Sequence, residues 1–114
     1  MTPSTYSELS LRLANPDDRL THAAIGIATE AGEVMDIIKR IRYYGKPLDR
    51  AHAIEELGDL CWYMNLMISE LDSTWEEVFE KNVAKLQARY PEKYFTAERA
   101  LNRNVEGEQA AMQS

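Results

Sequence analysis

The sequence predicts an all-α protein: a four-helix core with long central helices, completed by homo-oligomerisation. Three observations carry this prediction. Apolar residues recur at helical spacing through most of the chain, no segment alternates polar and apolar residues over a useful length, and glycine, proline and capping residues separate the apolar runs.

The elements follow in order. Tyr6, Leu9 and Leu13 line one side of a short first helix over residues 6–14. Asn15 and Pro16 then predict an N-cap and first helical residue, with Asp18 at the third position. The second helix runs from there to about Tyr43. Within it Ile27, Ala31, Val34, Ile38 and Ile41 advance in alternating steps of four and three, the stripe of a packed helix. Gly45 stops this helix, Pro47 restricts the loop and Asp49 caps the next helix. The third helix spans about residues 50–71, with Ile54, Leu57, Cys61, Met64, Ile68 and Leu71 as its stripe. Ser73 and Glu76 match a capping box that opens a fourth helix. That helix directs Val78 or Phe79, Val83 and Leu86 to a core and ends before Pro91. A further helix is expected from Ala97 to Val105. Residues 1–106 read as a single helical domain, and 107–114, without a convincing apolar face, as a flexible C-terminal tail.

Composition narrows the function. A chain of 114 residues suits one modest domain, and its 45% hydrophobic content can build a core. A formal charge of -6 argues against a nucleic-acid polymer or an anionic membrane surface as partner. It leaves room for a small anionic substrate if a metal reverses the local field. Cys61 is the only cysteine, so there is no internal disulfide and no cysteine-based zinc site. Nothing resembles a targeting segment or a bilayer span, so a soluble cytoplasmic protein is expected. Helices this long extend past the core that one short chain supplies, and self-association would cover the remaining apolar edges.

Chemistry concentrates in two acidic phrases, Glu30-Ala31-Gly32-Glu33 and Glu56-Leu57-Gly58-Asp59. Each puts two carboxylates three residues apart, on one face of a helix. If the two helices pack together, the four groups face a common cleft and form a hard, all-oxygen site suited to Mg²⁺. One or two ions fit such a charge. The competing reading is a pair of solvated helical faces. Gly32 and Gly58 stand inside the phrases, where they would let backbones approach and leave space for an ion and its waters. A calcium loop is disfavoured because the acids lie in helices. A di-iron bundle is disfavoured because neither His22 nor His52 follows a glutamate by three residues. Tyr63 continues the Glu56 and Asp59 rail one turn on, and His22 lies in line with Gly26 and Glu30. Trp62 reads first as packing and second as part of an aromatic wall.

With these phrases in place, the chain resembles the MazG-like family of the all-α nucleoside triphosphate pyrophosphohydrolase superfamily. That family carries Glu-Glu-x-x-Glu followed by Glu-x-x-Asp on the next long helix. The matching residues are Thr29-Glu30-Ala31-Gly32-Glu33 and Glu56-Leu57-Gly58-Asp59, with 22 residues between Glu33 and Glu56. The likeness continues through Lys39, Tyr44-Gly45 and the run from Asn82 to Pro91, and so covers most of residues 22–91.

The resemblance implies that Glu30, Glu33, Glu56 and Asp59 bind Mg²⁺. It implies cleavage of a nucleoside triphosphate, expected to be a deoxynucleotide, between its α and β phosphates. Glu33 is the first candidate to position or deprotonate the attacking water, and Glu30 the second. Lys85 and Asn82, three residues apart on one helix face, would contact the phosphates, with Lys39 ranked below them. Tyr63 would line the nucleotide pocket and His22 would reach it from the edge. Homodimers and homotetramers are both expected from the wider family. Thr29 replaces the family's first glutamate, which leaves the metal ligands intact and bears on water activation. Two alternatives stay open: a non-catalytic helical regulatory or scaffolding protein, and a phosphoribosyl-nucleotide pyrophosphohydrolase.

Overall fold

The computed structural model describes residues 1–92 and 95–114. These residues form six α-helices and no strand, which makes the protein all-α. In order they are α1 (Pro3–Leu11), α2 (Arg19–Tyr44), α3 (Arg50–Glu70), α4 (Trp75–Arg89), α5 (Ala97–Leu101) and α6 (Val105–Gln113). The chain divides into two compact units, Met1–Ser73 and Thr74–Ser114. None of the helices in the described residues is long and apolar enough to cross a membrane.

The first unit is a hairpin of α2 and α3 with α1 packed on α3. Thr2 caps α1 by accepting a hydrogen bond from the Thr5 N–H. Asn15 does not cap α2 as its sequence context suggests. Its side-chain oxygen accepts from the Asp17 N–H at 2.9 Å, which closes a local turn, and the helix starts only at Arg19. The cap residue Asp18 is left-handed (φ 52°) and makes no side-chain cap bond. At the other end Gly45 is also left-handed (φ 64°) and returns its N–H to the Arg40 carbonyl. A residue without a Cβ makes that reversal without strain. Asp49 then caps α3 through the His52 N–H, so the hairpin turn is built as its sequence predicts.

The packed faces differ from the expected stripes. On α2 the buried positions are Ala23, Gly26 and Ile37, with Ile27, Glu30 and Val34 half-buried, while Ala31, Ile38 and Ile41 of the expected stripe are exposed. On α3 the contrast is sharper. Ile54 and Leu57 are each 51% exposed, while Glu56 between them is only 8% exposed. In the second half of α3, Ile68 is buried, Cys61 and Met64 are half-buried, and Leu71 is exposed. The helices thus meet through a face that includes Glu30 and Glu56. Periodicity locates apolar surface on a helix, but not which side a neighbour occupies. Ala23 and Leu66 are almost fully buried at the core of this unit. Burying a leucine side chain contributes roughly 1.5–3 kcal/mol.

In the second unit α4 packs on α6. Thr74, one residue after the expected cap, accepts from the Glu77 N–H at 3.1 Å. Glu76 and Glu77 lie in the first turn and Arg89 in the last, as the helix dipole favours. The helix expected over residues 97–105 ends at Leu101 as α5, and after Asn102–Asn104 a separate helix, α6, begins at Val105. Most of the expected flexible tail, 107–114, is helical because Glu108 anchors it. That side chain is 3% exposed and takes hydrogen bonds from Arg89 (2.7 Å) and Arg103 (2.9 Å). A lone acid in a polar segment gives no sign in sequence that Arg89, 19 residues away, will close on it together with the nearby Arg103.

Candidate functional site

Glu30 on α2 and Glu56 and Asp59 on α3 converge. One carboxylate oxygen from each lies within 4.8 Å of the others. Glu56 is buried, Glu30 half-buried and Asp59 exposed, so the cluster opens to solvent on one side. The carboxyl of Glu30 is pushed above its ordinary range. Desolvation is the main cause, followed by a hydrogen bond with Glu56 and the charges of Asp59, Glu56 and Glu33. Glu33 is exposed and stands outside the converging trio, but its charge still acts on Glu30. This cluster of carboxylates is costly without a counter-charge. A hard divalent cation fits it: the donors are all oxygen, one is buried, and helix backbones hold them in place.

Next to the acids stands an aromatic group. The His22, Trp62 and Tyr63 rings meet edge to face, with centroids 5.9 Å (His22–Trp62), 5.4 Å (His22–Tyr63) and 5.1 Å (Trp62–Tyr63) apart. The Tyr63 ring lies against the backbone of Gly26, where a Cβ would come within 2.0 Å of Tyr63 Cδ1. Gly26 is one turn before Glu30 and Tyr63 one turn after Asp59, so the aromatic group adjoins the acidic one along the hairpin. Trp62 donates its indole N–H to the Ser10 carbonyl at 3.2 Å, which ties α1 to this wall. Trp62 thus packs α1 on α3 and also meets the Tyr63 and His22 rings. The close-packed glycine is Gly26. A Cβ on Gly32 or Gly58 would meet nothing within 4 Å, so the space expected around them is open and unpacked.

His52, near the start of α3, adds a contact to the cluster. Its Nε2 lies 3.7 Å from Glu56 Oε1. The signal was present in the four-residue offset between them. Lys39 bonds Asp36 at 3.2 Å and lies over the Tyr44 ring, while Arg40 takes the other Asp36 oxygen at 2.9 Å. These bonds, that of Lys39 first, hold the Asp36 carboxyl below the usual range. The Thr29 hydroxyl donates to the Gly26 carbonyl at 3.1 Å, so it is tied to its own helix. Asn82 and Lys85 are both on α4, in the second unit, Asn82 exposed and Lys85 half-buried.

Residues 20–105 match the model of the MazG nucleotide pyrophosphohydrolase domain. The Gene 37 protein of Mycobacterium phage L5 is 31% identical over 74 residues, which cover 61% of this chain and 65% of that protein. The chain thus spans less than two thirds of that relative's length. No solved structure matches the chain. With its paired acidic helices and a family match over most of its length, the chain belongs to the MazG nucleotide pyrophosphohydrolase domain family.

Proposed function

We propose that the protein hydrolyses a nucleoside triphosphate, preferably a deoxynucleotide, to a nucleoside monophosphate and pyrophosphate in a Mg²⁺-dependent reaction. The observation that carries this reading is the convergence of Glu30, Glu56 and Asp59 within 4.8 Å. Glu33 completes the ligand set. When bound, the ion neutralises phosphoryl oxygens and acidifies a water. The chain's residues do the rest. Glu33 orients the attacking water and takes its proton, with Glu30 as the other candidate. The water oxygen bonds to the α phosphorus, the bond to the bridging oxygen of the β phosphate breaks, and pyrophosphate leaves with that electron pair. Lys85 and Asn82 contact the phosphates, Lys39 supports them more distantly, and Tyr63 and His22 receive the nucleoside.

The active form is a homo-oligomer, a dimer or tetramer. The exposed Met35 and Ile38 of α2 and Ile54 and Leu57 of α3 support this, because burying them against a second copy releases water from apolar surface. Light scattering tests the assembly.

A product-resolved assay with Mg²⁺ and a panel of deoxy- and ribonucleoside triphosphates tests the reaction. Monophosphate and pyrophosphate are expected; diphosphate with orthophosphate rejects it. Glu33→Gln should lose most of the activity and keep the fold. A second reading, a non-catalytic regulatory protein, rests on Thr29, whose hydroxyl bonds its own helix where the family has a carboxylate. A folded protein that binds no Mg²⁺ and turns over no triphosphate, yet binds another protein specifically, would favour it.

A further inference from the structure

We propose that the cavity at the Gly45 end of the α2–α3 hairpin receives the pyrophosphate end of the substrate. The nucleotide would then lie along the hairpin with its base towards Tyr63. This rests on the hydrolase reading above and adds a direction and a second binding site to it. The cavity measures about 690 Å³ and is lined by Lys39, Arg40, Tyr44, Lys46 and His52, with Asp36 and Asp49 as its only acids. That volume is ample for a small ligand.

Charge gives the cavity its selectivity. Lys39 and Arg40 share one carboxylate, Asp36. Asp49 is engaged in capping α3. None of the ion pairs among the described residues involves Lys46. A chain of formal charge -6 thus keeps a local excess of positive charge in one concavity. Such a site attracts a compact polyanion.

Position ties the cavity to the reaction. His52 lines it and also approaches Glu56 at 3.7 Å, so the cavity begins where the carboxylate cluster ends. His52 precedes Glu56 by one helical turn, about 6 Å. On the other side of the carboxylates, Tyr63 lies against Gly26 and meets His22 and Trp62. Cations, carboxylates and aromatic rings therefore follow one another along the hairpin. A nucleoside triphosphate presents a polyanionic tail, a scissile α–β bond and a base in that same order. Hydrolysis at the carboxylates leaves pyrophosphate among the cations and monophosphate by the rings.

The test is calorimetric binding of inorganic pyrophosphate, with Mg²⁺, to the full-length protein, its Arg40→Ala/Lys46→Ala variant and Lys85→Ala. A deoxynucleoside monophosphate titrated into the same proteins is the control. The double variant should bind pyrophosphate at least tenfold more weakly and raise KM for the triphosphate. Its affinity for the monophosphate should change less than twofold and its melting temperature should not change. Unchanged pyrophosphate affinity in the double variant, or a loss confined to Lys85→Ala, overturns the proposal. So does a wild-type protein that binds no pyrophosphate. The two readings fail separately. Pyrophosphate bound through Arg40 and Lys46 without triphosphate turnover leaves the pocket standing and removes the hydrolase. Turnover with pyrophosphate affinity and KM unaffected in the double variant does the reverse.

Discussion

The ring of Tyr63 fills the space that a side chain at residue 26 would need, and a Cβ on Gly26 would come within 2.0 Å of that ring. The contact sets how closely α2 and α3 approach beside the carboxylates. Gly26→Ala should therefore destabilise the fold by about 1–3 kcal/mol through overpacking. Adding Tyr63→Ala makes room for the new methyl group, so the double variant should be no less stable than Tyr63→Ala alone. Denaturant unfolding of the three variants gives the coupling; simple additivity would show that the contact is not the source.

Glu30 predicts how the metal-free protein responds to pH. Its folded-state carboxyl is raised, so the folded state holds a proton that the unfolded chain releases at lower pH. The contribution of Glu30 to metal-free stability should then fall as pH rises from its ordinary value through its raised one. Glu30→Gln removes this slope and raises the metal-free melting temperature at neutral pH. In the wild type, Mg²⁺ at a hundred times its dissociation constant should stabilise by about 2.7 kcal/mol. The variant should lose most of that response, and melting curves with and without Mg²⁺ measure it.

Glu108 behaves in the opposite sense. Hydrogen bonds from Arg103 first and Arg89 second hold its carboxyl down to about 2. Its contribution is complete above the ordinary carboxylate value of 4.5 and is lost as pH falls towards about 2. Glu108→Gln should abolish that acid-dependent loss and leave α6 less protected at neutral pH. Amide hydrogen exchange over residues 105–113, followed against pH, checks both.

Trp62→Phe keeps a ring in the aromatic wall but removes the bond to the Ser10 carbonyl. A cost of roughly 0.5–1.5 kcal/mol is expected, with faster hydrogen exchange in α1. Unchanged exchange in α1 would show that the bond does not tie that helix to α3.

Much of this protein is legible from spacing alone. The hairpin turn was readable because Gly45 and Asp49 each act on backbone within a few residues of themselves. The pairing of Glu56 with Asp59 is readable for a related reason, since a three-residue offset on a helix determines a shared face whatever surrounds it; that Glu30 joins them and Glu33 does not depends on how α2 and α3 pack. The start of α2 is not legible in the same way, because Asn15 can close a turn as readily as cap a helix, and the two uses look alike in sequence. The last helix is not legible either, because part of its anchor joins Glu108 to Arg89 across 19 residues.

The sequence by itself determined the all-helical class, the carboxylates available to a metal and their grouping in pairs, because helical geometry turns local spacing into direction. Tertiary structure decided which sides of α2 and α3 meet. That choice buried Glu56 while leaving Ile54 and Leu57 exposed. It also drew Glu30, Glu56 and Asp59 together with Glu33 at the margin, and made Gly26 rather than Gly32 or Gly58 the close-packed glycine. The physical reason is that periodicity fixes a residue's angle about its own helix axis, whereas burial depends on the neighbour that fills the space beside it.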